Sequence, residues 1–483
     1  MDEKRLKKVG GQLLVAIYCL LLFQLTYPFT AAYASSLVAV PSFVFAFEQY
    51  IPFIPWMILP YMSSGLFFCL VPFYCRQKRE LLCYAKRFTF ITLIAALCFL
   101  LFPLRFSFDR PSVENPLFTI FFSFLQKYDS PFNQAPSLHV AYACLFWSVL
   151  RWKFNGWKKI ILGIWLLLMG IGTLTVYQHH VIDLLTACIL VQVSFILFPN
   201  IVDTEYNQPQ KSGQGRRSGY ERTCDEDNSE GVNSNIDGER FERRILPTRN
   251  QQLANSYYLA GWIFMLLALL CEGRLLLLML FVWLALVCFA VGYNYLRGCT
   301  GFLKDHRGRI PLIKKVFYAP YQFAYRLIWR FFRKKNNPPL MEVLPRCYVG
   351  PRLNSSELVA LGLNRNLVVF DLAAELEEVQ LLGTMEKYYS FPLLDIAEID
   401  VHDAHVIINA MVSAYRKLNE HENMIIHCTM GYSRSMIFAI LMVRELLSLD
   451  LSNAIDQVKL ANRHMVLQDH AIQLMKIIVA GRS

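Results

Sequence analysis

Residues 424–442 read MIIHCTMGYSRSMIFAILM. An apolar run ends in His427 and Cys428. Thr429, Met430, Gly431, Tyr432 and Ser433 follow, none of them basic, and Arg434 and Ser435 open a second apolar run. This pattern predicts a strand, a tight loop and a helix, with loop N–H groups and the helix N-terminus aimed at one point. A phosphate dianion fits that concavity. The same positive field favours the thiolate of Cys428, a nucleophile. Arg434 can grip two phosphate oxygens as a bidentate fork, and Gly431 permits the tight turn. These residue types at this spacing point to phosphoryl transfer through a cysteine.

A second set of chemistry-bearing residues lies far upstream. Residues 133–139 read NQAPSLH and residues 177–183 read YQHHVID. His179 and Asp183 are four apart, so on one helical face, where the carboxylate can orient and polarise the imidazole. His139, His179 and Asp183 fall at the same expected depth, at the ends of apolar runs. Ionisable groups in such places are costly, and by default they are functional. Ser137 offers a hydroxyl to a phosphate oxygen, and Arg105 and Arg110 supply cations nearby.

The set HCxxGxxRS, carried here by His427, Cys428, Gly431, Arg434 and Ser435, resembles the dual-specificity subgroup of protein tyrosine phosphatases over roughly residues 340–483. The resemblance implies a phosphocysteine intermediate on Cys428, with Ser435 supporting the leaving thiolate. It also implies a general acid about 30 residues upstream. The segment SFPLLDIAEIDVHD offers Asp395, Asp400 and Asp403; Asp395 directly follows an apolar run and is the expected acid, with Asp400 in reserve. A positioned acid contributes about 10²–10⁴-fold. The residues Thr429 to Ser433 are the expected phosphate cradle. The absence of Lys and Arg among them disfavours a polyphosphoinositide but not a lipid monophosphate. His402 and His405 beside Asp403 read as a solvated helix face rather than a metal site.

PSLH followed by HxxxD resembles the type 2 phosphatidic acid phosphatase superfamily over roughly residues 55–200. It implies that His179 attacks phosphorus, that Asp183 orients it, and that His139 protonates the leaving oxygen. Arg110 and Pro111 match the end of the family's first motif. The family's usual Lys would fall at Pro103, and its usual Ser-Arg at Gly172 and Thr173. TLTVYQHHVID looks closer to the inositol phosphorylceramide synthase and sphingomyelin synthase branch, which moves a phospho-headgroup between lipids. His180, about 100° away on a helix, is given a secondary polar role.

The elements that must position these groups are set by composition. The chain has 483 residues, with 55% hydrophobic, 14% aromatic and only 18% charged residues, against about 25% charge in a soluble domain. That excludes a purely soluble, a disordered and a collagen-like protein. A bilayer core needs about 20 apolar residues per helix, and apolar runs predict eight spans at 9–27, 55–74, 88–104, 135–150, 160–177, 180–199, 256–272 and 275–296. Arg76, Lys78, Arg79, Lys86 and Arg87 follow the second span, and Arg151, Lys153, Lys158 and Lys159 the fourth. Residues 28–54 have no Lys or Arg. The asymmetry puts both chain ends in the cytoplasm, provided that 28–54 is a re-entrant or interfacial segment. The apolar run after the basic start MDEKRLKK is too long for a signal peptide. The 13 Cys residues include no CxxC pair, so a zinc ribbon, a thioredoxin-like motif and a disulfide framework lack support.

The chain thus divides into a membrane domain at 1–200, a polar loop at 203–252 expected to be disordered and cytoplasmic, two further spans at 253–296, a basic aromatic interfacial linker at 297–337, and an α/β domain at 338–483. The charge of +11 suits an anionic membrane surface better than nucleic acid. The nearest whole-chain resemblance is to bacterial inner-membrane fusions of the two families. It implies a multi-pass membrane phosphatase with two phosphoryl-transfer sites. His179 would work at the outer face and Cys428 in the cytoplasm, on phosphatidate, phosphatidylglycerophosphate or an isoprenoid pyrophosphate. No cofactor or metal is expected. A lipid headgroup phosphotransferase and a membrane-anchored phosphatase of phosphoproteins are the rival readings.

Overall fold

The computed structural model describes residues 3–199, 249–305, 307–333, 340–362, 366–461 and 467–481. The polar loop at 203–252 lies outside them, except that 249–252 begin a helix. Among the described residues, one compact unit holds the chain up to 199 with Asn255–Phe289, and a second holds 249–254 with the chain from Ala290 onward.

The first unit is helical. α1 (Glu3–Ser35) is followed by a stretch whose helical pieces are two short 3-10 turns, Ala46–Tyr50 and Pro55–Met57. Next come α2 (Ile58–Met62), α3 (Ser64–Tyr74), α4 (Lys78–Leu101), α5 (Pro116–Tyr128), α6 (Leu138–Leu150), α7 (Gly156–Thr175), α8 (Val181–Leu197), α9 (Arg249–Leu270) and α10 (Leu275–Arg297). α5 shows how the sequence starts a helix. Pro116 takes the first position, where its missing N–H is not needed, and the Asn115 side chain accepts from the N–H groups of Leu117 and Phe118.

Six stretches among the described residues are long and apolar enough to cross a membrane: Lys8–Ser35, Pro55–Tyr74, Lys78–Leu101, Gly156–Thr175, Arg249–Leu270 and Leu275–Arg297. Helices also occupy the other two places expected to be spans, but Leu138–Leu150 and Val181–Leu197 are shorter. These two short helices are the ones that carry the histidines. They pack into a core with α3 and α4 that includes Val71, Phe88, Ile91, Phe146 and Val191. Within it the Phe88 and Tyr142 rings stack at 4.8 Å, and the Tyr142 hydroxyl meets Thr92 Oγ1 at 2.8 Å. Outward-facing residues such as Leu25, Leu97, Ile160 and Leu276 are exposed, the pattern of helices solvated by lipid.

The second unit is built on a five-stranded sheet in the order β1-β2-β5-β3-β4. The strands are β1 (Met341–Leu344), β2 (Cys347–Pro351), β3 (Leu367–Ala373), β4 (Lys387–Leu393) and β5 (Asn423–Cys428). Only β1 runs antiparallel to its neighbour. The helices are α11 (Leu312–Phe317), α12 (Ala319–Arg333), α13 (Ser355–Ala360), α14 (Gln380–Gly383), α15 (Val401–Arg416), α16 (Arg434–Leu447), α17 (Leu451–Ala461) and α18 (Asp469–Ala480). One sheet face packs Val349, Phe370 and Ile426 against α15, α16, α17 and α18. The other packs Val369 and Ile425 against Leu358 of α13 and Leu382 of α14. A parallel strand covered on both faces is mostly apolar; all seven residues of β3 are buried, and its one charged residue, Asp371, is paired with Lys304. β5 lies at the centre, and in such sheets ligands bind beyond the carboxyl ends of the strands.

Candidate active site

Cys428 is the last residue of β5 and Arg434 the first of α16. The loop between them closes around Gly431, whose φ is +80°; a Cβ there would lie 2.5 Å from the Pro351 nitrogen. Glycine alone suits both the left-handed backbone and the close approach. The Gly431 N–H then points at Cys428 Sγ, 3.2 Å away, and Ser435 Oγ lies 3.4 Å from the same sulfur. Cys428, Thr429, Arg434 and Ser435 are buried, while Tyr432 is exposed and Met430 and Ser433 are half-buried. Of the residues between Cys428 and Arg434, Gly431 thus turns its N–H toward the sulfur.

Arg434 is held by groups at the carboxyl ends of β3 and β4. Nη1 donates to Glu375 Oε1 at 2.9 Å and to the Leu393 carbonyl at 2.5 Å. Nη2 lies 3.2 Å from Asp395 Oδ1. Burial disfavours the Arg434 charge, but the carboxylates of Glu375 and Asp395 outweigh it and hold the guanidinium well above its ordinary range. Glu375 also accepts from Thr429 Oγ1 at 2.6 Å. Burial pushes its carboxyl up against the pull of Arg434, and Asp395 adds to the rise. Nothing in the sequence marked Glu375: it sits in the acidic run AELEE, and only the pairing of β3 with β5 brings it under the loop.

Of the acid candidates, Asp395 is the one beside Arg434. It is partly exposed, and the next residue, Ile396, has φ +59°, an uncommon conformation for a β-branched side chain. Asp400 is engaged elsewhere, capping α15 by accepting from the N–H groups of His402 and Asp403.

Behind the loop lies a buried charged cluster. Lys304 Nζ is 2.7 Å from Asp371 Oδ2, which also accepts from the Tyr388 hydroxyl at 2.7 Å. His427 Nε2 is 3.3 Å from Glu378 Oε2. Burial favours the protonated acid at Asp371, but the Lys304 and His427 charges win and hold it at about 2. Asp371, Glu378 and His427 have ligand atoms close enough to share a metal ion. Lys304 already supplies the positive charge there, so the group is an ion-pair cluster. Lys304 comes from the stretch expected to be an interfacial linker.

In the first unit, α6 and α8 bring the upstream residues together. His179 Nδ1 is 3.1 Å from Asp183 Oδ2, which also accepts the His180 N–H at 2.9 Å. The contact turns Nδ1 toward the carboxyl group and leaves Nε2 on the other side of the ring. The His139 and His179 ring centres are 6.2 Å apart, and Tyr61 stacks on His139 at 4.1 Å. Ser137 is fully buried, and its N–H donates to the Asp183 carbonyl.

The cations are placed differently from one another. Arg110 donates to the carbonyls of Val176 and Tyr177 and to Gln178 Oε1, so it braces the turn before His179. Arg105 is exposed, its backbone N–H on the Pro41 carbonyl. His180 pairs with buried Glu48 at 2.9 Å, and Glu48 also accepts the Val181 N–H. Glu48 had a sequence signal: it is the single charged residue between Lys8 and Arg76. Asp129, accepting from Tyr27, Tyr61 and Gln178, had none.

No protein-family model and no curated protein matches the chain. Solved structures are similar over its C-terminal part. The active form of Tk-PTP is 18% identical, covering 30% of this chain and 97% of its own, with a TM-score of 0.26. Human DUSP28 is 19% identical, covering 31% and 98%, with a TM-score of 0.25. The human tyrosine phosphatase-like serine/threonine/tyrosine-interacting protein is 15% identical, covering 29% and 95%, with a TM-score of 0.25.

Proposed function

We propose that the chain is a multi-pass membrane phosphatase with two phosphoryl-transfer sites that act on lipid phosphates. The observation that carries the reading is the convergence on Cys428 Sγ of the Gly431 N–H and the Ser435 hydroxyl, with Arg434 fixed beside them by Glu375. The Cys428 thiolate attacks phosphorus and the ester P–O bond breaks, with Asp395 delivering a proton to the departing oxygen. Water then attacks the phosphocysteine, Asp395 takes its proton, and Ser435 supports the leaving thiolate. Arg434 and the loop N–H groups hold the non-bridging oxygens throughout.

At the second site His179 Nε2 attacks phosphorus and the P–O bond to the leaving group breaks, with His139 protonating the leaving oxygen and Asp183 keeping the imidazole in the required tautomer. Water then attacks the phosphohistidine, giving its proton to His139, and the P–N bond breaks to release phosphate. The distribution of Lys and Arg supports an outer-face location for this site and a cytoplasmic one for Cys428. Its alternation between loops fits eight crossings, with α6 and α8 as short spans, and the resemblance to bacterial fusions makes the inner membrane the proposed location. Candidate substrates are phosphatidate, phosphatidylglycerophosphate and isoprenoid pyrophosphate.

The test is a comparison of the full chain in lipid nanodiscs with its Cys428→Ser and His179→Ala variants, using these lipids and a phosphotyrosine peptide. Each variant should lose part of the lipid-phosphate turnover while the peptide remains a poor substrate. Preference for the peptide, with lipid turnover absent, would replace the reading with a membrane-anchored protein phosphatase. Transfer of the headgroup to an acceptor lipid, with no free phosphate, would replace it with a phosphotransferase.

A further inference from the structure

The helix α12 has two faces with different neighbours. Its inward residues are Tyr321, Gln322, Tyr325 and Trp329, buried or half-buried in the second unit. Trp329 Nε1 donates to the Arg352 carbonyl at 3.0 Å, and the Arg352 guanidinium lies over the Trp329 ring. The Arg352 N–H in turn donates to the Cys428 carbonyl at 2.8 Å. Tyr325, one turn back, is near enough to Arg434 to contribute to its electrostatic surroundings. One face of α12 therefore borders the phosphate loop.

The opposite face carries Phe323, Leu327 and Phe331, spaced by four and so in one stripe, with relative exposures of 60%, 49% and 60%. Arg326 and Arg330 flank the stripe and are exposed. The preceding helix α11 adds exposed Leu312, Ile313 and Val316. From residue 306 to 341 the sequence has nine Lys and Arg and no Asp or Glu. Only 14 residues, 298–311, separate α11 from the end of the apolar helix α10. An apolar stripe edged by arginines, on a segment without acids, fits the headgroup layer of an anionic leaflet.

We infer that the outer face of α12 docks on an anionic lipid surface, so that one helix both seats in the bilayer interface and forms a wall beside the Cys428 loop. The phosphomonoester is then taken from the plane of the headgroups. This deepens the proposed lipid-phosphatase reading and rests on it for the substrate, though not for the docking.

The test places a photo-crosslinking benzoylphenylalanine at Leu327 or Phe331 of the full chain, in nanodiscs of phosphatidylglycerol and phosphatidylcholine. Leu460, also apolar and 77% exposed but on α17, is the control. Lipid adducts read by mass spectrometry are expected at both α12 positions, at least about tenfold above the control, and more with phosphatidylglycerol than with phosphatidylcholine alone. Adducts to protein instead, or lipid adducts no more frequent than at Leu460, would overturn the inference. Lipid adducts together with no hydrolysis of any lipid phosphate would uphold the docking and remove the substrate reading, so the two failures are separable.

Discussion

Asp395 Oδ1 lies 3.2 Å from Nη2 of Arg434, which places the candidate proton donor on the very group that would grip the phosphate. The acid loop and the phosphate loop are thereby linked through one guanidinium, which Glu375 holds from the other side. Asp395, Glu375 and Arg434 have different proposed tasks, and these are separable by mutation.

Asp395→Asn keeps the shape and removes the proton. Turnover of alkyl phosphates, whose leaving oxygen needs protonation, should fall by about 10²–10⁴-fold. An aryl phosphate with a good leaving group should lose much less. Steady-state rates on p-nitrophenyl phosphate and on a lipid phosphate measure the difference. Equal losses would assign Asp395 a structural role.

Glu375→Gln removes the charge that braces Arg434 and Thr429, while Arg434 keeps the Leu393 carbonyl. A hydrogen bond to a charged group is worth about 1.5–3 kcal/mol, so kcat/KM should fall roughly 10- to 100-fold. The loss should show in KM as well as kcat, because the misplaced fork weakens ground-state binding too. A variant with wild-type KM and kcat would remove Glu375 from the positioning of Arg434.

Lys304→Met leaves Asp371 buried with the Tyr388 hydroxyl but without its ammonium partner. Breaking a buried ion pair on one side costs about 3–5 kcal/mol, and the double variant Lys304→Met/Asp371→Leu should recover much of it. The pH dependence follows from the carboxyl held at about 2, below its ordinary value, by the Lys304 and His427 charges against the opposing effect of burial. A depressed acid adds stability above its unfolded value of about 4, and that stability is lost as pH falls through about 2. In Lys304→Met the sign reverses, since burial then dominates and stability falls as pH rises. Denaturation of the purified full chain, followed by resistance of the second unit to proteolysis across pH, reads both effects. A Lys304→Met variant with unchanged stability would contradict the ion-pair account.

At the upstream site, Asp183→Asn should lower turnover by less than His179→Ala does, because the imidazole survives but loses its fixed tautomer. His179→Ala should cost at least about 10²–10⁴-fold in the reaction assigned to that site. The readout is phosphate release from an isoprenoid pyrophosphate in the Cys428→Ser background. Retention of that activity in His179→Ala would remove the histidine from the chemistry.

What was legible in the sequence was local. The loop from Cys428 to Arg434 is contiguous, so a strand, a glycine and a helix start suffice to place the sulfur and the guanidinium. His179 and Asp183 are one helical turn apart, and their hydrogen bond follows from that spacing. Each of the eight apolar runs coincides with helix, but α4 starts at Lys78, ten residues before the expected span, α1 runs on to Ser35, α5 falls outside every expected span, and α6 and α8 are shorter than the six stretches long enough to cross a membrane. The illegible part was non-local. Glu375 reaches Arg434 because β3 pairs with β5 in a particular register. Lys304 and Trp329 come from a stretch whose basic aromatic composition suggested only a membrane surface, yet Lys304 pairs with Asp371 of β3 and Trp329 donates to the Arg352 carbonyl. Arg110, expected from its neighbour Pro111 to hold phosphate, also donates from Nε and Nη2 to the carbonyls of Val176 and Tyr177, a bracing that its position in the sequence does not reveal. Charge identity in a sequence does not say which partner a long side chain finds.

The central claim is that phosphorus passes through two protein side chains. The most direct measurement is rapid quenching of the full chain during turnover of lipid phosphates, followed by mapping of phosphorylated peptides. The account predicts phosphate on Cys428, lost in Cys428→Ser, and phosphate on His179, lost in His179→Ala. Continued hydrolysis with phosphate on neither residue would contradict it.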